Sequence, residues 1–195
     1  MALVRYHRPD VVARAVDVLD RYGLGDLSMR RLGAELGVRP SALYHHFPSK
    51  QALLAAVADE ILARARFEPD LAAPWDAQVA AVCGWVRDAV LAYRDGGEVV
   101  ATAYAFGTGA TAPYDALLAA LRAGRAEGLG EVDEGLAEIG ARTLLHFVLG
   151  HVVAEQTHLQ AASAGAIDDA PRSGGDFAVG LGIVLDGLRA RVGAR

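Results

Sequence analysis

The chain has 195 residues, 53% of them hydrophobic and 22% charged, with a formal net charge of −5. A chain this apolar is not disordered, and its length suits one core or two small ones. The single cysteine, Cys83, excludes an internal disulfide framework and argues against a cysteine-based zinc site.

Helical periodicity runs through almost the whole chain and sustained strand alternation is absent, so the expected fold class is all-α. Pro9, tolerated in a first turn, starts a helix whose apolar face is Val12, Ala15, Val16 and Leu19, and Gly23 ends it. Ser28 caps a short second helix carrying Leu32 and Leu36, closed by Gly37. Pro40 starts a third, with Ala42, Leu43 and Tyr44, and Pro48 stops it. Ser49 caps a fourth from Lys50 to Arg66. A linker-like stretch, Phe67 to Pro74, precedes a long helix from Trp75 to Arg94, which Arg94-Asp95-Gly96-Gly97 breaks. A short helix over Val99 to Phe106 and a loop over Gly107 to Pro113 follow. Tyr114 to Glu127 is amphipathic and ends at Gly128 and Gly130. Asp133 to Leu159 is a long helix, Ala161 to Gly175 a loop containing Pro171, and Asp176 caps a last helix to Val192. The longest uncharged stretch, Val99 to Tyr114, is too broken by Gly107, Gly109 and Pro113 to span a bilayer. Arg5, Arg8 and Asp10 interrupt the apolar run a signal peptide needs. A cytoplasmic protein with no membrane partner is expected.

Charge is unevenly divided. Residues 1–66 hold ten basic and seven acidic side chains, a net of +3; the rest hold nine basic and seventeen acidic, a net of −8. A basic end on an acidic body points to a small nucleic-acid-binding unit joined to something else. The second and third helices are joined by only Leu36-Gly37-Val38-Arg39, and Gly37 can supply the positive φ of a sharp turn. This is a helix-turn-helix pattern, which places its second helix in the major groove of DNA. Leu43 and Phe47, four apart, pack inward, leaving Arg39, Ser41, Ala42, His45 and His46 outward. Ser28, Arg30, Arg39, Pro40, Ser41, Ala42, Tyr44, His45, His46 and Lys50 are therefore the candidate DNA contacts. Arg30 and Arg39 suit bidentate contact with guanine, and Pro40, Ser41 and Ala42 suit base edges. Tyr44, His46 and Lys50 suit phosphates.

Leu27-Ser28-Met29-Arg30-Arg31-Leu32-Gly33-Ala34-Glu35-Leu36-Gly37-Val38, followed by Ala42-Leu43-Tyr44-His45-His46-Phe47-Pro48-Ser49-Lys50, resembles the DNA-binding signature of the TetR family. Further on, Trp75, Tyr93-Arg94-Asp95-Gly96, His146-Phe147, Glu155-Gln156, His158, Phe177 and Gly180-Leu181 fall in the order seen in tetracycline repressors. The resemblance implies a DNA-binding domain over 1–50, a connecting helix over 51–66, and an all-helical ligand-binding and dimerisation domain over 67–195. It also implies a departure. The tetracycline–Mg²⁺ ligands of that branch fall on Val100, Val82, Val86 and Ala154 here. Valine supplies no donor to a hard cation. An apolar or aromatic inducer is expected instead, lined by Val82, Trp85, Val86, Val100, Tyr104, Phe106, Tyr114, Leu117, His146 and Phe147, with no cofactor.

Leu144 to Ala154 and Phe177 to Leu185 are almost uncharged all round, as in helices that are buried on every side. Pairing them with their copies in a second chain would form a four-helix interface. Leu149, Val152, Val153, Gln156, Phe177, Leu181, Val184 and Leu188 are the candidate dimer contacts. The expected function is a homodimeric regulator, foremost a repressor, that leaves double-stranded operator DNA when a small molecule binds. Alternatives are an activator, a metal-responsive regulator using His151, Glu155 and His158 on one helix face, or an enzyme on a hydrophobic substrate. For the enzyme, no nucleophile–base pair is evident; Cys83 lies in an apolar helix and reads as core.

Overall fold

The computed structural model describes residues 6–124, 134–168 and 175–193, and every described regular element is a helix. The order is α1 (Arg8–Tyr22), α2 (Met29–Leu36), α3 (Pro40–Tyr44), α4 (Lys50–Arg64), α5 (Trp75–Leu91), α6 (Gly96–Ala105), α7 (Ala112–Ala123), α8 (Glu134–Ser163) and α9 (Gly175–Gly193). They form two compact units. Of the described residues, one takes those up to Ala65 together with Ala89–Ala110; the other takes Arg66–Asp88 and those from Thr111 on.

In the first unit, α1 packs on α2 and α4, α2 packs on α3, and α4 packs on α6. Its core includes Val11, Val16, Leu19, Leu27, Leu32, Leu43, Phe47, Leu53 and Ile61. The helix starts follow from local chemistry. Asp10 accepts a hydrogen bond from the His7 N–H at 2.8 Å, and Ser28 and Ser49 accept from the N–H of Arg31 and Ala52, each at 3.1 Å. Each bond satisfies a donor that the first turn leaves without a partner.

The unit also holds a segment that the sequence pattern places elsewhere. Asp95, at φ 55°, makes the turn after α5, so Gly96 and Gly97 open α6 and do not break a helix as expected. The Asp95 carboxylate accepts from the Leu24 N–H at 2.7 Å, and Asp20 accepts from the Arg94 N–H at 3.2 Å. At the far end, Asp59 on α4 accepts from the Ala110 N–H at 2.7 Å. Three carboxylates thus tie both ends of the 94–110 segment to α1, α4 and the loop between α1 and α2.

In the second unit, α8 packs on α7 and on α9. α8 is long and apolar enough to cross a membrane by length and composition, but Leu144, Leu145, Val148, Leu149 and Val152 are buried inside the fold, as in a core helix. Arg189 joins α9 to the start of α5 through Asp76 and stacks over Trp75, 5.6 Å from the ring centroid. Helix ends shift modestly from expectation. α4 stops at Arg64, α5 at Leu91 and α7 at Ala123, whereas α8 runs on to Ser163. Asp176 lies inside the first turn of α9, which begins at Gly175. The expected boundaries at Glu127, Gly128, Gly130 and Asp133, and Pro171, lie outside the described residues.

Candidate nucleic-acid interface

The helix-turn-helix is built as its sequence requires. Gly37 ends α2 at φ 66°, and its N–H donates to Ala34 at 3.2 Å, while the Val38 N–H donates to Gly33 at 2.9 Å. That closure turns the chain at once into α3, whose first residue, Pro40, needs no N–H partner. Leu43, 2% exposed, and Phe47, fully buried, pin the segment to the core.

The anchoring leaves one face outward. Arg30, Arg39, Pro40, Ser41, Ala42, Tyr44 and His45 are exposed, and His46 and Lys50 are half-buried. Ser28 is partly occupied, since its oxygen caps α2. The structure also separates arginines that the sequence cannot. Arg31 pairs with Glu35 at 3.4 Å and stacks 3.9 Å from the Tyr22 centroid, and hydrogen bonding to Tyr22 raises its pKa above the ordinary arginine value. Arg31 therefore braces α2, while its neighbour Arg30 faces solvent. Arg8, outside the motif, is brought onto the Phe47 ring, 5.0 Å from its centroid. Spacing along the chain gives no hint of that contact.

The candidate ligand residues divide. Val82, Val86, Val100 and Leu117 are buried to 2% exposure or less. Trp85, Tyr104, Tyr114 and Phe147 are half-buried. Trp85 stacks on Phe67 at 4.9 Å, and Phe147 stacks on Phe177 at 5.6 Å. Phe106, at the end of α6, is 64% exposed, and His146 on α8 is exposed. Cys83 is buried, and burial pushes its thiol pKa up to about 12, so it is no nucleophile near neutral pH.

Glu155 is engaged by Arg87 through two hydrogen bonds, at 2.6 and 3.2 Å, and His151 packs between Phe147 and Phe177. Among the described residues no three His, Cys, Asp or Glu side chains gather to hold a metal ion, so the His151, Glu155 and His158 site does not form in this geometry.

The candidate dimer contacts differ in how far one chain covers them. Leu149, Val152, Gln156, Phe177 and Leu181 are buried within one chain, and Val153, Val184 and Leu188 are half-buried. The helices α8 and α9 cover these side chains with each other and their neighbours. Within one chain the exposed residues of α8 include Ile139, Thr143, His146, Gly150, Ala154 and Thr157, and those of α9 include Val179 and Ile183, 66% and 68% exposed. Both sets recur at helical spacing, as one face of a helix does.

Comparison with known proteins fits this arrangement. The family model "Bacterial regulatory proteins, tetR family" matches residues 11–57, and "Tetracyclin repressor-like, C-terminal domain" matches residues 68–173. The tetracycline repressor protein class A from transposon 1721 of Escherichia coli is 33% identical, covering 94% of this chain and 91% of its own. A crystal structure of Mycobacterium smegmatis BioQ aligns with a TM-score of 0.84 and 41% identity, over 95% of this chain and 99% of that one. A structure of BioQ with its double-stranded DNA operator aligns at 0.81 with 39% identity, over the same shares of the two chains.

Proposed function

Because this chain belongs to the TetR family of bacterial regulatory proteins, and is a DNA-binding transcriptional regulator, we propose that it is a cytoplasmic homodimeric repressor released from a near-palindromic operator by an apolar or aromatic small molecule. The observation that carries the DNA reading is the outward face of Arg30, Arg39, Ser41, Ala42, Tyr44 and His45 around a helix anchored by Leu43 and Phe47. Guanidinium and small side chains on one helix suit the base edges of a major groove. The BioQ relative, in complex with its operator, supports that use of the same fold.

In this reading residues 1–50 contact the operator, 51–66 connect, and 67–195 bind the inducer and the second chain. The buried valines at 82, 86 and 100 favour an inducer recognised by apolar contact and not through a divalent cation. The exposed faces of α8 and α9 are the surfaces offered to the second chain. Two recognition helices would then meet half-sites about 34–36 Å apart. Release requires the inducer to prefer the state with the wrong spacing, by roughly 5.5 kcal/mol for a nearly complete switch. Since α4 and α6 pack in one unit, a ligand that displaces α6 displaces α4 with it.

The test is selection of bound sequences from a pool of random duplexes. The expected result is enrichment of an inverted repeat, lost in Arg30→Ala and Tyr44→Ala variants that melt like the parent. No enrichment, or equal binding by both variants, would overturn the assignment of this face.

A further inference from the structure

We propose that Arg8 is a further phosphate contact of the DNA interface, set in place by the ring of Phe47; this rests on the DNA-binding reading above. The helix-turn-helix motif contains no residue before Leu27, and Arg8 opens α1, far from it in sequence. In the fold its guanidinium carbon lies 5.0 Å from the centroid of Phe47. Phe47 is fully buried and sits between His46 and the turn that leads to Lys50, two of the groups assigned to phosphate.

The chemistry of the contact matters. A guanidinium resting on a ring uses its flat face, and its N–H donors point outward in the same plane. That edge matches two phosphate oxygens. Arg8 is exposed, and among the described residues no carboxylate forms an ion pair with it. The nearby acids are engaged elsewhere. Asp10 accepts from the His7 N–H, Asp59 from the Ala110 N–H, and Glu60 pairs with Arg64 at 2.8 Å. Asp59 and Glu60 line a groove of about 310 Å³ with Arg8, Pro9, Val12, Ala56 and Ala63, and so bound the side of Arg8 that faces α4. Other cations of the unit are neutralised: Arg14 pairs with Asp17 and Arg31 with Glu35. An arginine held over a ring, with no carboxylate ion pair among the described residues, suits contact with a phosphate; standing off the recognition helix, it adds affinity without sequence preference.

The test uses the full chain and a random-sequence duplex of 30 base pairs, because a phosphate contact needs no operator. Binding is followed by fluorescence anisotropy against salt. Arg8→Met keeps a stem over Phe47 and removes the charge; Arg8→Lys keeps the charge. Arg21→Gln, at the other end of α1 and about 20 Å away along the helix, is the control. The expected result is a slope of log K against log salt shallower by about 0.9 per Arg8 removed, with Arg8→Lys and Arg21→Gln like the parent. In the parent protein, duplex should protect Arg8 but not Arg21 from phenylglyoxal, a readout that needs no variant to fold. An unchanged slope in folded Arg8→Met, or an unprotected Arg8, overturns the proposal while leaving the DNA reading intact. A parent protein without salt-dependent binding overturns both.

Discussion

Asp59 offers a way to measure how firmly α6 is held to the DNA-binding unit. Its carboxylate accepts from the Ala110 N–H at 2.7 Å. Ala110 is 1% exposed and sits at φ 59°, a conformation costing an L-residue about 1–2 kcal/mol. Asp59→Ala removes the acceptor and leaves a buried N–H unsatisfied, a loss of about 1–3 kcal/mol in general. Asp59 itself is exposed, so water can partly replace it, and the lower half of that range, about 1–2 kcal/mol, applies. For a chain of this size that lowers Tm by about 2–8 °C. Asp59→Asn keeps an acceptor oxygen and should lose under about 1 kcal/mol. Ala110→Gly relieves the backbone cost but gives up a buried methyl worth about 0.8 kcal/mol, so it should lie near the parent. The assay is thermal and urea unfolding of the three variants at equal protomer concentration, since association shifts apparent stability. If Asp59→Asn falls as far as Asp59→Ala, or Asp59→Ala melts with the parent, the bond is not what holds the segment.

Three other perturbations have defined outcomes. In Gly33→Ala the new Cβ would lie 2.9 Å from the Val38 carbonyl oxygen and 3.4 Å from the Pro40 nitrogen, both backbone atoms that must move. The expected loss is about 1–3 kcal/mol, with duplex binding weakened beyond what the melting curve explains. The Asp76 pKa is lowered, chiefly because Arg189 donates a hydrogen bond to it. Its contribution is therefore complete above the ordinary value of 3.8 and fades as pH falls through the lower folded value. Parent and Asp76→Asn should differ by at most about 1 kcal/mol near neutral pH and converge in acid, as unfolding curves from pH 2 to 6 can check. Ile183→Asp, on the exposed face of α9, should yield a folded monomer by light scattering. Leu149→Ala, at a site 5% exposed within one chain, should instead cost about 2–5 kcal/mol in stability.

Ile183 and Leu149 differ in exposure within one chain, a difference that an apolar run in the sequence does not carry. The helix-turn-helix is legible because its determinants are local: Ser28 and Ser49 cap within three residues, Gly37 closes its own helix, and Leu43 with Phe47 share one face. The attachment of α6 is not legible, because its bonds join residues 51 to 74 positions apart and use aspartates that otherwise resemble surface charge. Gly96-Gly97 reads as a breaker for the same reason: Asp95, tied to Leu24, makes the turn, and the glycines are left to begin a helix. In α8 an uncharged run shows that all sides are apolar but not which side its own chain covers. In the fold α8 packs on α7 and α9, Leu144, Val148, Leu149 and Val152 are buried, and His146 and Gly150 are exposed.

The same distinction between composition and placement revises the charge argument. A net of +3 over residues 1–66 counts Arg14, Arg31 and Arg64, each of which lies against a carboxylate. It also counts acids that are turned to backbone N–H groups, such as Asp10 and Asp59. Neither set reports what a duplex would meet. Near the recognition segment the cations without an ion pair among the described residues are Arg8, Arg30, Arg39 and Lys50. If Arg30 and Arg39 read bases, Arg8 and Lys50 remain for phosphate, two per chain and four per dimer. At roughly 0.9 counterion per contact, log K should fall with log salt at a slope of about −4. A slope near zero would mean that these cations do not reach the backbone. A much steeper one would mean that Arg21 or the base-reading arginines also bind phosphate, which would remove the division between positioning and reading on which the specificity argument depends.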